Sequence, residues 1–148
     1  ELIDVVNVGL VLTSIKYADG PDEAMNVMKD FEDIVGGKEL TIIDFSASWC
    51  MPCRREIPNL IAVYNKYKKQ GLVVLGVAGN DKPEDTQKVI DSKKIPYPQL
   101  LNTQMIAINA YAIQAIPTII LFAPDGKILS RGLRGKEIEE KLAETFGF

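Results

Sequence analysis

Cys50 and Cys53 are the only cysteines in this 148-residue chain, and they stand two residues apart in Ser48-Trp49-Cys50-Met51-Pro52-Cys53-Arg54-Arg55-Glu56-Ile57-Pro58. The chain has no histidine. A C-x-x-C pair offers thiol–disulfide exchange, a structural bridge, or half of a metal site. A bridge over so short a loop removes little entropy from the unfolded chain and would stabilise weakly. A zinc site would need further Cys or His ligands, which the chain does not supply. Two ordinary core thiols do not naturally carry a Trp before them and a Pro between. The pair therefore reads as a redox dithiol, with no metal and no organic cofactor.

The elements around the pair suit that chemistry. Leu40-Thr41-Ile42-Ile43-Asp44-Phe45 is a short apolar run that reads as a buried strand, and residues 51–70 carry apolar side chains at helical spacing. Cys50 then falls at or just before the first helical turn, where unpaired N–H groups and the macrodipole favour a thiolate. Cys53 lies one turn on, near enough for a disulfide. Pro52 suits the first turn, where a missing N–H costs little. Pro58 falls in the helix interior and predicts a kink.

Trp49-Cys50-Met51-Pro52-Cys53 resembles the active site of the thioredoxin superfamily, and Pro58 and Ile116-Pro117-Thr118 match two further landmarks of it. The resemblance covers residues 25–148. Cys53-Arg54-Arg55-Glu56-Ile57-Pro58 and the long segment between Gly76 and Pro117 resemble the extracytoplasmic TlpA-like thiol–disulfide oxidoreductases. One departure is Asp44, where that branch usually has Asn and thioredoxin has Asp. The resemblance implies an α/β thioredoxin-like fold: a central mixed sheet with helices on both faces and an insertion before the cis-proline strand. It also implies catalytic roles for Cys50, Cys53, Asp44 and Glu56. Trp49, Met51, Pro52, Ile116 and Pro117 would meet the substrate, and the Ile116–Pro117 bond would be cis. A cis bond there would turn the Ile116 backbone toward the cysteines, ready to pair with an extended peptide. The implied partners are protein disulfides and a dithiol electron donor, for which this branch suggests a membrane-bound protein.

The rest of the chain is read as one domain over residues 1–148. A strand and turn occupy 1–21, an amphipathic helix 22–35, and a helical insertion and connection 79–110. The 22–35 methionines read as core packing. Leu72-Val73-Val74-Leu75-Gly76-Val77-Ala78 is apolar throughout, as in a strand buried on both faces of a parallel sheet. Helices are expected over 83–94 and 104–111. Strands 118–122 and 127–129 flank Ala123-Pro124-Asp125-Gly126, a hairpin signal. A closing helix places Ile138, Leu142 and Phe146 on one face. The formal charge of −3 argues against a nucleic-acid binder, and no apolar run approaches the length of a membrane span. The expected state is a monomer. Residue 1 is Glu, which reads as a processed or truncated start from which a signal or upstream segment was removed. A periplasmic or other extracytoplasmic location follows from the family resemblance, with the cytoplasm left open.

Several side chains carry their own expectations. Asp44 sits in an apolar strand, where a carboxylate is costly and needs a reason. By resemblance it is a buried acid below Cys53 that relays that thiol's proton; an edge position facing water is the alternative. Glu56, three residues past Cys53, either tunes the cysteines or is a solvated helix acid. Arg54 and Arg55 are exposed cations of small effect. Trp49 is expected to pack against the cysteines and shield them. Two other functions use the same scaffold: a peroxiredoxin-type peroxidase, and a non-catalytic binding or metal-delivery module.

Overall fold

The computed structural model describes residues 40–125 and 127–147, so the expected N-terminal strand, turn and 22–35 helix lie outside the described residues. Within them, β1 (Leu40–Ser46) leads into α1 (Met51–Tyr67), which a 3₁₀ turn (Lys68–Gln70) extends before β2 (Leu72–Ala78). There follow α2 (Pro83–Lys93), β3 (Gln99–Leu100), α3 (Ile106–Ala110), β4 (Thr118–Phe122), β5 (Ile128–Arg131) and α4 (Lys136–Phe146). The sheet order is β3-β2-β1-β4-β5. β1 pairs parallel with β2, and β2 with β3, while β4 runs antiparallel to both β1 and β5. The expected mixed sheet is therefore present, with β1 at its centre. No helix among the described residues is long and apolar enough to cross a membrane.

Alternation along the strands builds two cores. Ile42, Val74, Ile119 and Leu121 pack with Leu60, Val63 and Tyr67 of α1 and with Ile138 and Leu142 of α4. Ile43, Phe45, Leu75, Val77 and Ile120 pack on the other face with Leu100 and with Ala107 and Ile108 of α3. Both faces of β1 and β2 are covered, which is why their sequences are apolar nearly throughout. Burying each such aliphatic side chain contributes roughly 1.5–3 kcal/mol. The pleat sets Asp44 on the side of Ile42, facing α1.

Helix boundaries follow local chemistry. Cys50 is the N-cap of α1 and Pro52 lies in its first turn, as the spacing predicts. The helix continues as one element through Pro58, which is exposed. α2 opens on Pro83 with Glu84 and Asp85 behind it, and Lys94 ends it in the left-handed conformation. α3 is shorter than the spacing predicts: Gln104 and Ala112 both have positive φ, which confines the helix between them. On α4, Ile138 and Leu142 are buried, and Phe146 stacks on Tyr67 with centroids 5.1 Å apart.

Gly76 connects the core to the site. It lies opposite Asp44 on β1 and Gln99 on β3, and a Cβ built there would come within 2.2 Å of Gln99 Oε1. Gln99 is buried, so its side chain has little freedom to yield. Gly76→Ala is therefore expected to destabilise by about 1–3 kcal/mol. The Gly76→Ala/Gln99→Ala double variant should recover part of that loss, and additive losses in urea unfolding would show that the two positions do not compete for space.

Candidate active site

Cys50 and Cys53 form a disulfide with their Cα atoms 5.2 Å apart. Capping explains their placement. Cys50 has extended backbone (φ −91°, ψ 108°), and the Cys53 N–H points at its sulfur, 3.2 Å away. A sulfur that receives a helix N-terminal N–H is stabilised as a thiolate. Ala47 and Ile116 pack around the pair, and Cys50 keeps more exposure than Cys53, 5% against 2%. The Ile116–Pro117 peptide is cis. Its Ile116 carbonyl oxygen lies 3.7 Å from Cys50 Sγ, so the loop before β4 faces the pair with its backbone.

Trp49 is 59% exposed, and its indole N–H donates to the Asn80 carbonyl at 2.9 Å. That hydrogen bond ties the indole's polar edge to the β2–α2 connection. Met51 and Pro52 are also exposed beside Cys50. Asp81, which the sequence reading passed over, holds the same loop. One carboxylate oxygen accepts from the Ser48 N–H (2.8 Å) and the Thr86 hydroxyl (2.7 Å). The other accepts from the Ser48 hydroxyl (2.7 Å) and the Lys82 N–H (3.0 Å). Asn-Asp after a strand is a turn signal, but nothing in it names Ser48 as partner.

Asp44 is buried, not at a water-facing edge, and its Oδ1 has no hydrogen-bond partner. It shares a cavity of about 20 Å³ with Cys53, Arg54, Ile57, Tyr97 and Gln99. That is room for about one water molecule. Burial pushes the Asp44 carboxyl up from 3.8 to about 7; the nearby Glu56 charge adds to the rise and Arg134 opposes it. Tyr97 is raised in turn, first by its own burial and then by the Asp44 charge. Glu56 is neither a solvated helix acid nor free: both of its oxygens accept from the Gly135 N–H, at 2.9 and 3.2 Å. Asn59 donates to the Gly135 carbonyl at 2.5 Å, and Arg134 donates to the Pro117 carbonyl. Asn59 and Arg134 carry no sequence signal, because their partners are backbone groups far along the chain.

Comparison with known proteins agrees with this geometry. The AhpC/TSA family model matches residues 19–131. The chain belongs to the AhpC/TSA family. Within the thioredoxin superfamily it is a TlpA-like thiol–disulfide oxidoreductase. It is 29% identical over 131 residues to the thiol-disulfide oxidoreductase ResA of Halalkalibacterium halodurans, covering 84% of this chain and 73% of that one. Against the ResA of Bacillus thuringiensis the identity is 26% over 117 residues, and the match spans 64% of that protein's length. Among solved structures, the thioredoxin domain of a Bacteroides vulgatus thiol-disulfide oxidoreductase superposes with a TM-score of 0.69 at 31% identity. That match covers 74% of this chain and 81% of the other.

The buried acid in β1 links folding to pH. Its folded value lies above its unfolded one, so between pH 3.8 and about 7 the folded state binds more protons. The Asp44 contribution to stability is then most favourable below pH 3.8 and is lost as pH rises to about 7, because the ionised carboxylate must stay buried. In the oxidised protein, where neither cysteine titrates, Asp44→Asn should match the parent at low pH. Above neutrality it should exceed the parent by up to about 4 kcal/mol, three pH units at 1.36 kcal/mol each. Urea unfolding of both proteins across that range measures the gap; a gap independent of pH would mean that Asp44 does not titrate on folding.

Proposed function

We propose that this protein reduces protein disulfides by dithiol exchange through Cys50 and Cys53, with Asp44 taking the Cys53 proton. What carries this reading is the shared cavity: Asp44, one of whose oxygens has no hydrogen-bond partner, lines the same small space as Cys53, the less exposed residue of a helix-capping disulfide. In the reduced protein, the Cys50 thiolate attacks one sulfur of the substrate disulfide. That S–S bond breaks, one substrate thiolate leaves, and a mixed disulfide remains. Asp44 accepts the Cys53 proton, and the Cys53 thiolate attacks Cys50 Sγ and expels the second substrate sulfur as a thiolate, which takes up a proton. Two electrons pass to the substrate and the Cys50–Cys53 disulfide forms. A base with its value near 7 is matched to this task at neutral pH.

Trp49, Met51 and Pro52 offer the substrate an apolar exposed rim around Cys50. Ile116 and Pro117 offer backbone to an extended peptide, by strand addition. Glu56 acts on the pair indirectly, through its charge on Asp44 and its hold on Gly135. The direction is reductive: Pro52 brings no positive charge beside Cys50, and the Asp44 and Glu56 carboxylates oppose thiolate formation. The cysteine pair is the sole redox group in this reading. Re-reduction comes from a second dithiol protein, membrane-bound and facing a compartment outside the cytoplasm, where this protein works as a monomer. The names of the ResA relatives support the exchange chemistry.

Three experiments test this. Cys53→Ser should accumulate a covalent adduct with substrate through Cys50, while Cys50→Ser should not; equal trapping by both variants rejects the roles. The pair's reduction potential should lie nearer the thioredoxin end, about −270 mV, than the strongly oxidising end, about −120 mV. In single-turnover reduction at neutral pH, Asp44→Asn should slow release from the mixed disulfide by about 10²-fold. An unchanged release rate would leave Asp44 without the relay role.

A further inference from the structure

The segment between β5 and α4 reaches the redox site through the Pro117 carbonyl and both backbone groups of Gly135. The Arg134 guanidinium donates through Nη2 to the Pro117 carbonyl, and through Nη1 to the Leu133 carbonyl at 3.0 Å. The next residue, Gly135, is held from α1 on both its N–H, by Glu56, and its carbonyl, by Asn59. Gly135 has φ 53°, the left-handed region, and a Cβ there would meet nothing within 4 Å. Its backbone conformation, and not a packing contact, is what selects glycine. The segment is thus fastened to α1 at one residue and grips the cis-proline loop with the residue before it.

We propose that Arg134 is a positioning residue of the redox site, holding the cis-proline loop against Cys50 through the Pro117 carbonyl. This role rests on the dithiol-exchange reading above. Ile116, whose carbonyl faces Cys50 Sγ at 3.7 Å, is bonded directly to the residue that Arg134 grips. An incoming peptide that pairs with the Ile116 backbone needs that carbonyl at a set place, and a planar guanidinium making two hydrogen bonds is suited to fix it. A small disulfide without a peptide backbone has less use for that placement.

The charge acts on the second half of the reaction. Glu56 and Arg134 act on Asp44 through their charges, and Arg54 and Cys53 from α1 and Tyr97 from the segment before β3 line its cavity; α2 contributes Thr86, Val89 and Ile90 to the same cavity, none of them charged. Glu56 favours the protonated Asp44 and Arg134 the ionised one. Removing Arg134 leaves the Glu56 charge unopposed, so the pH at which Asp44 becomes available as a base moves up.

The test compares the parent, Arg134→Gln and Arg134→Lys on a disulfide-cyclised peptide with extended flanks and on hydroxyethyl disulfide. In Arg134→Gln the ratio of the peptide rate to the small-disulfide rate should fall about tenfold. The pH midpoint of mixed-disulfide release should rise by on the order of half a unit. Arg134→Lys keeps the charge without the fork, so it should restore the midpoint while leaving the rate ratio below the parent's. Equal losses on both disulfides with an unmoved midpoint, or no loss, overturn the role while leaving the dithiol function intact. A parent that reduces neither disulfide rejects the function and this role together. If Arg134→Gln does not fold, Arg134→Lys decides: a parental midpoint with a lowered rate ratio supports the role, and a parental ratio overturns it.

Discussion

A carboxylate in a strand packed on both faces is the constraint around which this site is arranged. β1 sits at the centre of the sheet, with β2 and β4 hydrogen-bonded at its sides and a core on each face. The cavity beside Asp44 is large enough for about one water molecule. Ionising the group there costs several kcal/mol. The surroundings adjust to it: Gly76 opposite leaves space that the Gln99 amide fills, and Arg134 brings the one opposing charge among the groups that shift Asp44. A neutral residue at this position would remove the cost. Asp44 shares its cavity with Cys53, and the proposed relay role rests on that placement.

Three connections converge on the Cys50–Cys53 turn from different parts of the chain. The β2–α2 connection supplies Asn80 and Asp81, which hold Trp49 and Ser48. The segment before β4 supplies Ile116 and Pro117. The β5–α4 segment holds that one in place and is itself anchored to α1 by Glu56 and Asn59. Most of these contacts end on backbone groups, so they fix the positions of loops and not merely of side chains. A reacting pair whose two sulfurs must exchange partners within a few ångströms needs such fixed approaches.

Glu56 illustrates how one group serves two ends. As an acceptor for the Gly135 N–H it is a structural tie between α1 and the segment before α4. As a charge it pushes Asp44 toward its protonated form. Arg134 works in the opposite electrical sense from the adjoining residue. The acidity of the buried carboxyl is thereby linked to the same contacts that hold the cis-proline loop, which couples loop geometry to proton affinity.

The sequence by itself determined the strand-to-helix junction with Cys50 as its cap, the alternating and continuous apolar patterns of β1, β2 and β4, and the helices at α1, α2 and α4. These rest on local physics: capping, pleat and helical period act between residues near in sequence. For Asp44 the apolar run showed only that the charge needs a reason; burial was what the family resemblance implies, a water-facing edge stayed open, and the structure decided for burial. Only the tertiary structure decided that Trp49 turns outward to Asn80, that Glu56 ties down Gly135, and that Asp81, Asn59 and Arg134 belong to the site. Their partners are backbone groups 17 to 79 residues away. Any residue type can present a backbone N–H or carbonyl, so no side-chain pattern marks those partners in advance. Which carbonyl a guanidinium finds is settled by how the loops pack.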